Sequence, residues 1–99
     1  MVITIFRSRL RPENQEAYQR TAARMDELAH KMPGFISIKT FQAPDGERVS
    51  IVEFESEVAH NAWRKHPEHL EAQRLGHELF YSEFQIQVCT VERSYGMKR

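Results

Sequence analysis

The chain predicts an α+β fold of the ferredoxin-like kind, βαββαβ, with a four-stranded antiparallel sheet and both helices on one face. Three observations predict it. Segments of period-two alternation and segments of helical apolar spacing follow one another as strand, helix, strand, strand, helix, strand. A Pro44-Asp45-Gly46 turn marks a hairpin between the two middle strands. Ile3, Ile5, Val49 and Ile51 make one sheet face apolar, and the pattern leaves no helix to cover it.

Each element has its own warrant. Val2 to Leu10 reads as the first strand, with Ile3 and Ile5 on one face and Val2, Thr4 and Phe6 on the other. Pro12 suits the first turn of a helix, where its missing N–H costs nothing. Tyr18, Ala22, Met25, Ala29 and Met32 then recur at helical spacing, the methionines as core filling, until Pro33-Gly34 stops the run. Phe35 to Gln42 alternates as Phe35, Ser37, Lys39 and Phe41 against Ile36, Ile38 and Thr40. The returning strand, Arg48 to Glu55, puts Ser50, Val52 and Phe54 on one face. Ser56 can cap the next helix, Pro67 breaks or restarts it, and Gly76 ends the second piece. A last strand runs from Leu79 to Arg93, followed by a loose tail.

Composition narrows the function. Ninety-nine residues make one domain, 1–99, with a core of about 2–93. The 14 basic and 14 acidic residues cancel, so no nucleic-acid or anionic-membrane partner is indicated. No apolar run is long enough to span a bilayer. The single cysteine, Cys89, cannot form an internal disulfide, which fits a reducing, cytoplasmic setting. Arg7, Arg9 and Arg11 read as a solvated edge. No phosphate loop or nucleotide-binding βαβ unit is present, so no cofactor is expected.

The chemistry concentrates between residues 60 and 77, which hold four of the five histidines and the only tryptophan. A zinc site is the sharp reading of His60, His66, His69 and His77. Pro67 interrupts that cluster, and no cysteine or carboxylate stands at zinc spacing, so no metal is assigned. A neutral imidazole can instead accept a phenolic proton near pH 7. His60 and Trp63 are three apart and share one side of their helix. Trp63 should turn toward the sheet and bring His60 with it. Gln73 lies one turn beyond His69, so the two can face one cavity.

The order and spacing of Pro33-Gly34-Phe35, Asp45-Gly46, Val49 to Glu57, the Trp-bearing helix and the long closing strand resemble the antibiotic biosynthesis monooxygenase family. The resemblance covers nearly the whole chain. It implies a dimeric α/β barrel and oxidation of a small aromatic molecule by O2 without a cofactor. It also implies where the site lies. Ser50 and Phe54 stand where polyphenol-oxidising members carry Asn and Trp, and His60 stands at their helix tyrosine. Gln73 replaces an arginine and Phe41 a histidine. The haem-degrading members place a haem-ligating histidine ten residues after a helix Trp. Here that position is Gln73, a poor iron ligand, so haem degradation is the least favoured reading.

The sequence therefore predicts a homodimer with a pocket in each subunit. His60 is the candidate base, with His66 as its alternate. Phe41, Phe54 and Trp63 sandwich a flat substrate. Ser50 and Gln73 orient its oxygens, and His69 stands near the mouth. The alternative is a small-molecule-binding or stress-response module of the same fold, without catalysis.

Overall fold

A computed structural model describes all residues, Met1–Arg99. Strands β1 (Val2–Leu10), β2 (Phe35–Gln42), β3 (Arg48–Phe54) and β4 (Tyr81–Thr90) form one sheet in the order β2-β3-β1-β4. Every neighbouring pair is antiparallel. Helices α1 (Gln15–Lys31), α2 (Glu57–Arg64) and α3 (Pro67–Leu75) complete the ferredoxin-like fold, and a π-helical turn, Gly76–Phe80, leads into β4.

The register assigns the two faces. Val2, Thr4, Phe6 and Ser8 lie opposite Phe54, Val52, Ser50 and Arg48. Leu28 and Ala29 of α1 and Trp63 of α2 pack onto this face around Val52 and Phe54, with Met25, Met32, Phe35 and Ile38 at the edge of the cluster. Phe54 is fully buried, stacked on Trp63 at 6.4 Å between ring centroids and met edge-on by Phe35 at 5.7 Å. Ile3 and Ile5 pair with Glu53 and Ile51 on the opposite, helix-free face.

In β2 the expected alternation breaks. Pairing steps from Phe35↔Phe54 directly to Ser37↔Glu53, leaving Ile36 as the extra residue of a bulge. Phe35 thus meets the helices, yet beyond the bulge Ile38 and Thr40 do so. Phe41, opposite Val49, turns to the helix-free face, where the Lys39 ammonium lies 5.6 Å from its ring centre. The expectation that Phe41 shares a face with Ser50 is corrected.

Three other boundaries differ from the sequence reading. Helix α1 begins at Gln15, after Asn14 in the left-handed region at φ 61°, and Pro12 lies in the bend before it. Asn14 Nδ2 donates to the Leu79 carbonyl, and Arg11 donates to the Glu78 and Tyr81 carbonyls, tying this bend to the π-helical turn. Arg11 is therefore an anchor rather than a solvated edge residue. Gly76 caps α3 as expected, yet its backbone stays in the right-handed helical region, with φ and ψ of −59° and −48°, and a Cβ there would come within 2.7 Å of the Tyr81 ring. The helical path continues to Phe80, so β4 starts at Tyr81, and it ends at Thr90 rather than Arg93.

The starts of α2 and α3 follow the expected chemistry. Ser56 Oγ accepts from the Ala59 N–H at 3.1 Å, and Pro67 opens α3. Arg24 of α1 grips Glu68 of α3 through two hydrogen bonds of 2.7 and 2.9 Å. Gly34, at φ +80°, makes the turn into β2, and a side chain there would strike Ala59 Cβ. No helix is long and apolar enough to cross a membrane.

Candidate active site

Between the helices and the inner sheet face lies a cavity of about 340 Å³. Thr4, Phe6 and Ser8 of β1, Ser50 and Val52 of β3, and Ile38 of β2 form its floor. Tyr18 and Met25 of α1, His60 and Trp63 of α2, and His69 and Gln73 of α3 form its walls. Along β4 it is lined by Ile86 and Val88, both exposed, so this side is open.

The α2 wall carries the sharpest chemistry. His60 is 4 % exposed, and its Nε2 lies 2.6 Å from Thr4 Oγ1. Loss of hydration, then the charge of Arg64, hold its pKa below the usual 6.5. The His69 ring lies 4.2 Å from that of Trp63. Burial lowers the His69 pKa first, and the neighbouring imidazoles His60 and His66 add to this against the Arg64 carbonyl. His69 Nδ1 sits 3.2 Å from that carbonyl. A carbonyl oxygen only accepts, so Nδ1 must carry the proton and Nε2 is left as the free acceptor. The Gln73 amide nitrogen lies 3.3 Å from the same Nδ1; with Nδ1 protonated, Gln73 pairs with it only by presenting Oε1 as the acceptor.

The far end of the floor is different. Arg48 of β3 reaches over the Tyr18 ring at 5.8 Å. Tyr18 in turn meets Tyr81 edge-on at 6.1 Å. Burial first, then Tyr18, pushes the Tyr81 phenol well above its usual pKa, so it stays a neutral hydroxyl.

Ser50, His60, Trp63, His69 and Gln73 are thus brought to one cavity. Three sequence candidates are not. Phe41 is 50 % exposed on the opposite sheet face, displaced by the β2 bulge. Phe54 is buried behind Trp63, because the indole fills the space above it. His66 caps α3, its Nδ1 accepting from the Glu68 N–H at 3.1 Å, so its lone pair is committed to the helix end. The sequence reading missed Thr4 and Arg48. The signal for Thr4 was a single hydroxyl between Val2 and Phe6 on the inward face of β1. Arg48 carried no signal beyond the period-two alternation that set it in line with Ser50.

Comparison with known proteins agrees with this architecture. The Bacillus subtilis protein YqjZ, described as uncharacterized, is 34 % identical over 86 residues, covering 87 % of this chain and 75 % of its own. The Mycobacterium tuberculosis protein Rv0793 superposes with a TM-score of 0.82 at 22 % identity, over 96 % of this chain and 98 % of that one. A Deinococcus radiodurans structure superposes over the whole of both chains with a TM-score of 0.85 at 11 % identity. A variant of SnoaB, a cofactor-independent oxygenase from Streptomyces nogalater, does so with a TM-score of 0.78 at 17 % identity, over 94 % of each chain. Those structural identities speak for the fold alone. Residues 1–75 match the family model described as antibiotic biosynthesis monooxygenase, and with the Bacillus relative this shows that the chain belongs to that family.

Proposed function

We propose that this chain is a cofactor-independent monooxygenase that oxidises a small electron-rich aromatic, a phenol, quinol or polyketide-like ring, with O2. The observation that carries the reading is the imidazole pair His60 and His69 on the cavity wall, both held neutral near pH 7 by burial. Neutral imidazoles beside apolar surface can take a proton from an acidic hydroxyl and keep water from the anion that results. The cofactor-independent oxygenase among the structural neighbours supports the same direction.

In this mechanism the Thr4 hydroxyl donates to His60 Nε2 and accepts from the substrate, so the substrate proton passes to His60 through Thr4. The electron-rich carbanion then attacks O2. For a methylene carbon beside the phenol, two C–H bonds are lost and a C=O is formed. One oxygen atom stays in the product and the other leaves as water. The substrate supplies all four electrons, so no external reductant is required. Trp63 and Phe6 bound the flat ring, Ser50 and Gln73 hold its oxygens, and His69 Nε2 offers a second acceptor. The functional unit of the proposal is a homodimer in the cytoplasm.

An oxygen electrode with a panel of quinols, anthrones and haem tests this. The expected result is saturable O2 uptake with a quinol or anthrone, lost in His60→Gln. Binding without O2 uptake across the panel would make the protein a small-molecule-binding module instead.

A further inference from the structure

The geometry points to an anion subsite at Arg48, which would make the substrate an acidic aromatic with its carboxylate remote from the reacting hydroxyl. This inference rests on the cavity being a substrate pocket, as proposed above.

The arginines of the sheet are treated in two ways. On the helix-free face, Arg7 is paired with Glu47, and Arg9 with Asp45 and Glu83. Arg48 lies on the inner face, half-buried in the cavity floor, and no carboxylate lies within ion-pair distance of it. Its one hydrogen bond goes to Gln42 Oε1 at a long 3.4 Å. The only carboxylate on the cavity lining, Asp26, faces His30 at 3.8 Å. A guanidinium presents five donors in a planar fork that matches a carboxylate. Here it is held over the Tyr18 ring, with most of that fork unused.

Position supplies the rest. Arg48 stands opposite Ser8 in the register, and His60 bonds to Thr4 of the same strand. Ser8 and Thr4 are four residues apart, so the two ends of the floor are separated by about 13 Å. A flat ligand lying along β1 can place a hydroxyl at Thr4 and His60 and an anionic group at Arg48. Arg64 also borders the cavity but is exposed, and it sits at the imidazole end, where a carboxylate would compete with the reacting hydroxyl.

The test is calorimetric and needs no turnover. Para-hydroxycinnamate and its primary amide share one rigid frame, with the phenol and the acyl group at opposite ends. Wild-type protein should bind the acid about tenfold more tightly than the amide, the worth of a charge-assisted hydrogen bond. Arg48→Gln should abolish that preference by weakening acid binding far more than amide binding, and Arg48→Lys should restore part of it. Circular dichroism of each variant should match wild type. Equal binding of acid and amide by wild type, or an unchanged preference in Arg48→Gln, would overturn the subsite and leave the pocket standing. Binding of neither probe would overturn both.

Discussion

At the scale of single residues, the site turns on how each imidazole is committed. His66 spends its lone pair on a helix end, His69 has one nitrogen tied to a carbonyl, and His60 holds Thr4. His60→Gln should lower kcat/KM by about a hundredfold or more, the usual worth of a general base, with the fold intact. The kcat/KM profile of the wild type should rise through a pKa below 6.5 and level off by neutral pH, since the base must be unprotonated. The stability sign follows from the same shift. Below pH 6.5 the unfolded chain takes up a proton that buried His60 resists, so stability falls as the solution is acidified. His60→Gln should flatten part of that fall in pH-dependent thermal melts; an unchanged slope would place the titration elsewhere. Thr4→Val strips His60 of its partner and should cost about 1–3 kcal/mol of stability, read from denaturant midpoints. His60 was legible because its three-residue spacing from Trp63 fixed its side of the helix. The depth of Phe54 was not legible, because period two gives a face and says nothing of what stacks above it.

At the scale of elements, the errors of the sequence reading have local causes. Strand β2 alternates faithfully after its bulge, but its phase relative to Phe35 is inverted by Ile36, and no residue in Phe35-Ile36-Ser37 marks the extra position. Gly76 stands at the end of α3, where glycine is common, but its backbone is right-handed and its further warrant is the close approach of the Tyr81 ring, a long-range contact invisible to local pattern. Gly76→Ala should therefore destabilise the fold although alanine favours helix. Gly34→Ala combines a left-handed φ with a clash against Ala59 and should do so more strongly. Thermal denaturation ranks the two, and a Gly76→Ala protein as stable as wild type would show that Tyr81 gives way freely. The Ser56 cap was legible as a serine placed directly before a helical run. Ser56→Ala should cost about 1 kcal/mol. His66→Ala should cost a comparable amount while leaving kcat and KM unchanged, which separates its capping role from the base role the sequence allowed it. A kinetic loss in His66→Ala without a matching loss of stability would return that histidine to the site.

At the scale of the whole molecule, the sheet has one face that the chain does not cover. All three helices pack on the side of Val52 and Phe54, leaving Ile3, Ile5, Val49 and Ile51 on the other, and the β2 bulge adds Phe41 to them. That face is divided. Its hairpin end carries the ion pairs of Arg7 with Glu47 and of Arg9 with Asp45 and Glu83, while the aliphatic residues lie toward the opposite end. Removing such an apolar stretch from water gains about 25 cal/mol per Å². A second copy offers the same stretch by two-fold symmetry, so each subunit can satisfy the other. The ion pairs close within one chain and need no rearrangement to sit at the rim. Sedimentation velocity at micromolar concentration should therefore give a dimer. Ile51→Asp would put a carboxylate into the dry centre of that contact yet leave it hydrated in a single subunit, so the variant should sediment as a folded monomer. Phe41→Ser should loosen the dimer and leave para-hydroxycinnamate binding unchanged, because its ring lies on the helix-free face and not on the cavity lining. A wild-type monomer would refute the pairing, and a Phe41→Ser protein that lost ligand binding but kept the dimer would return Phe41 to the pocket wall where the sequence had placed it.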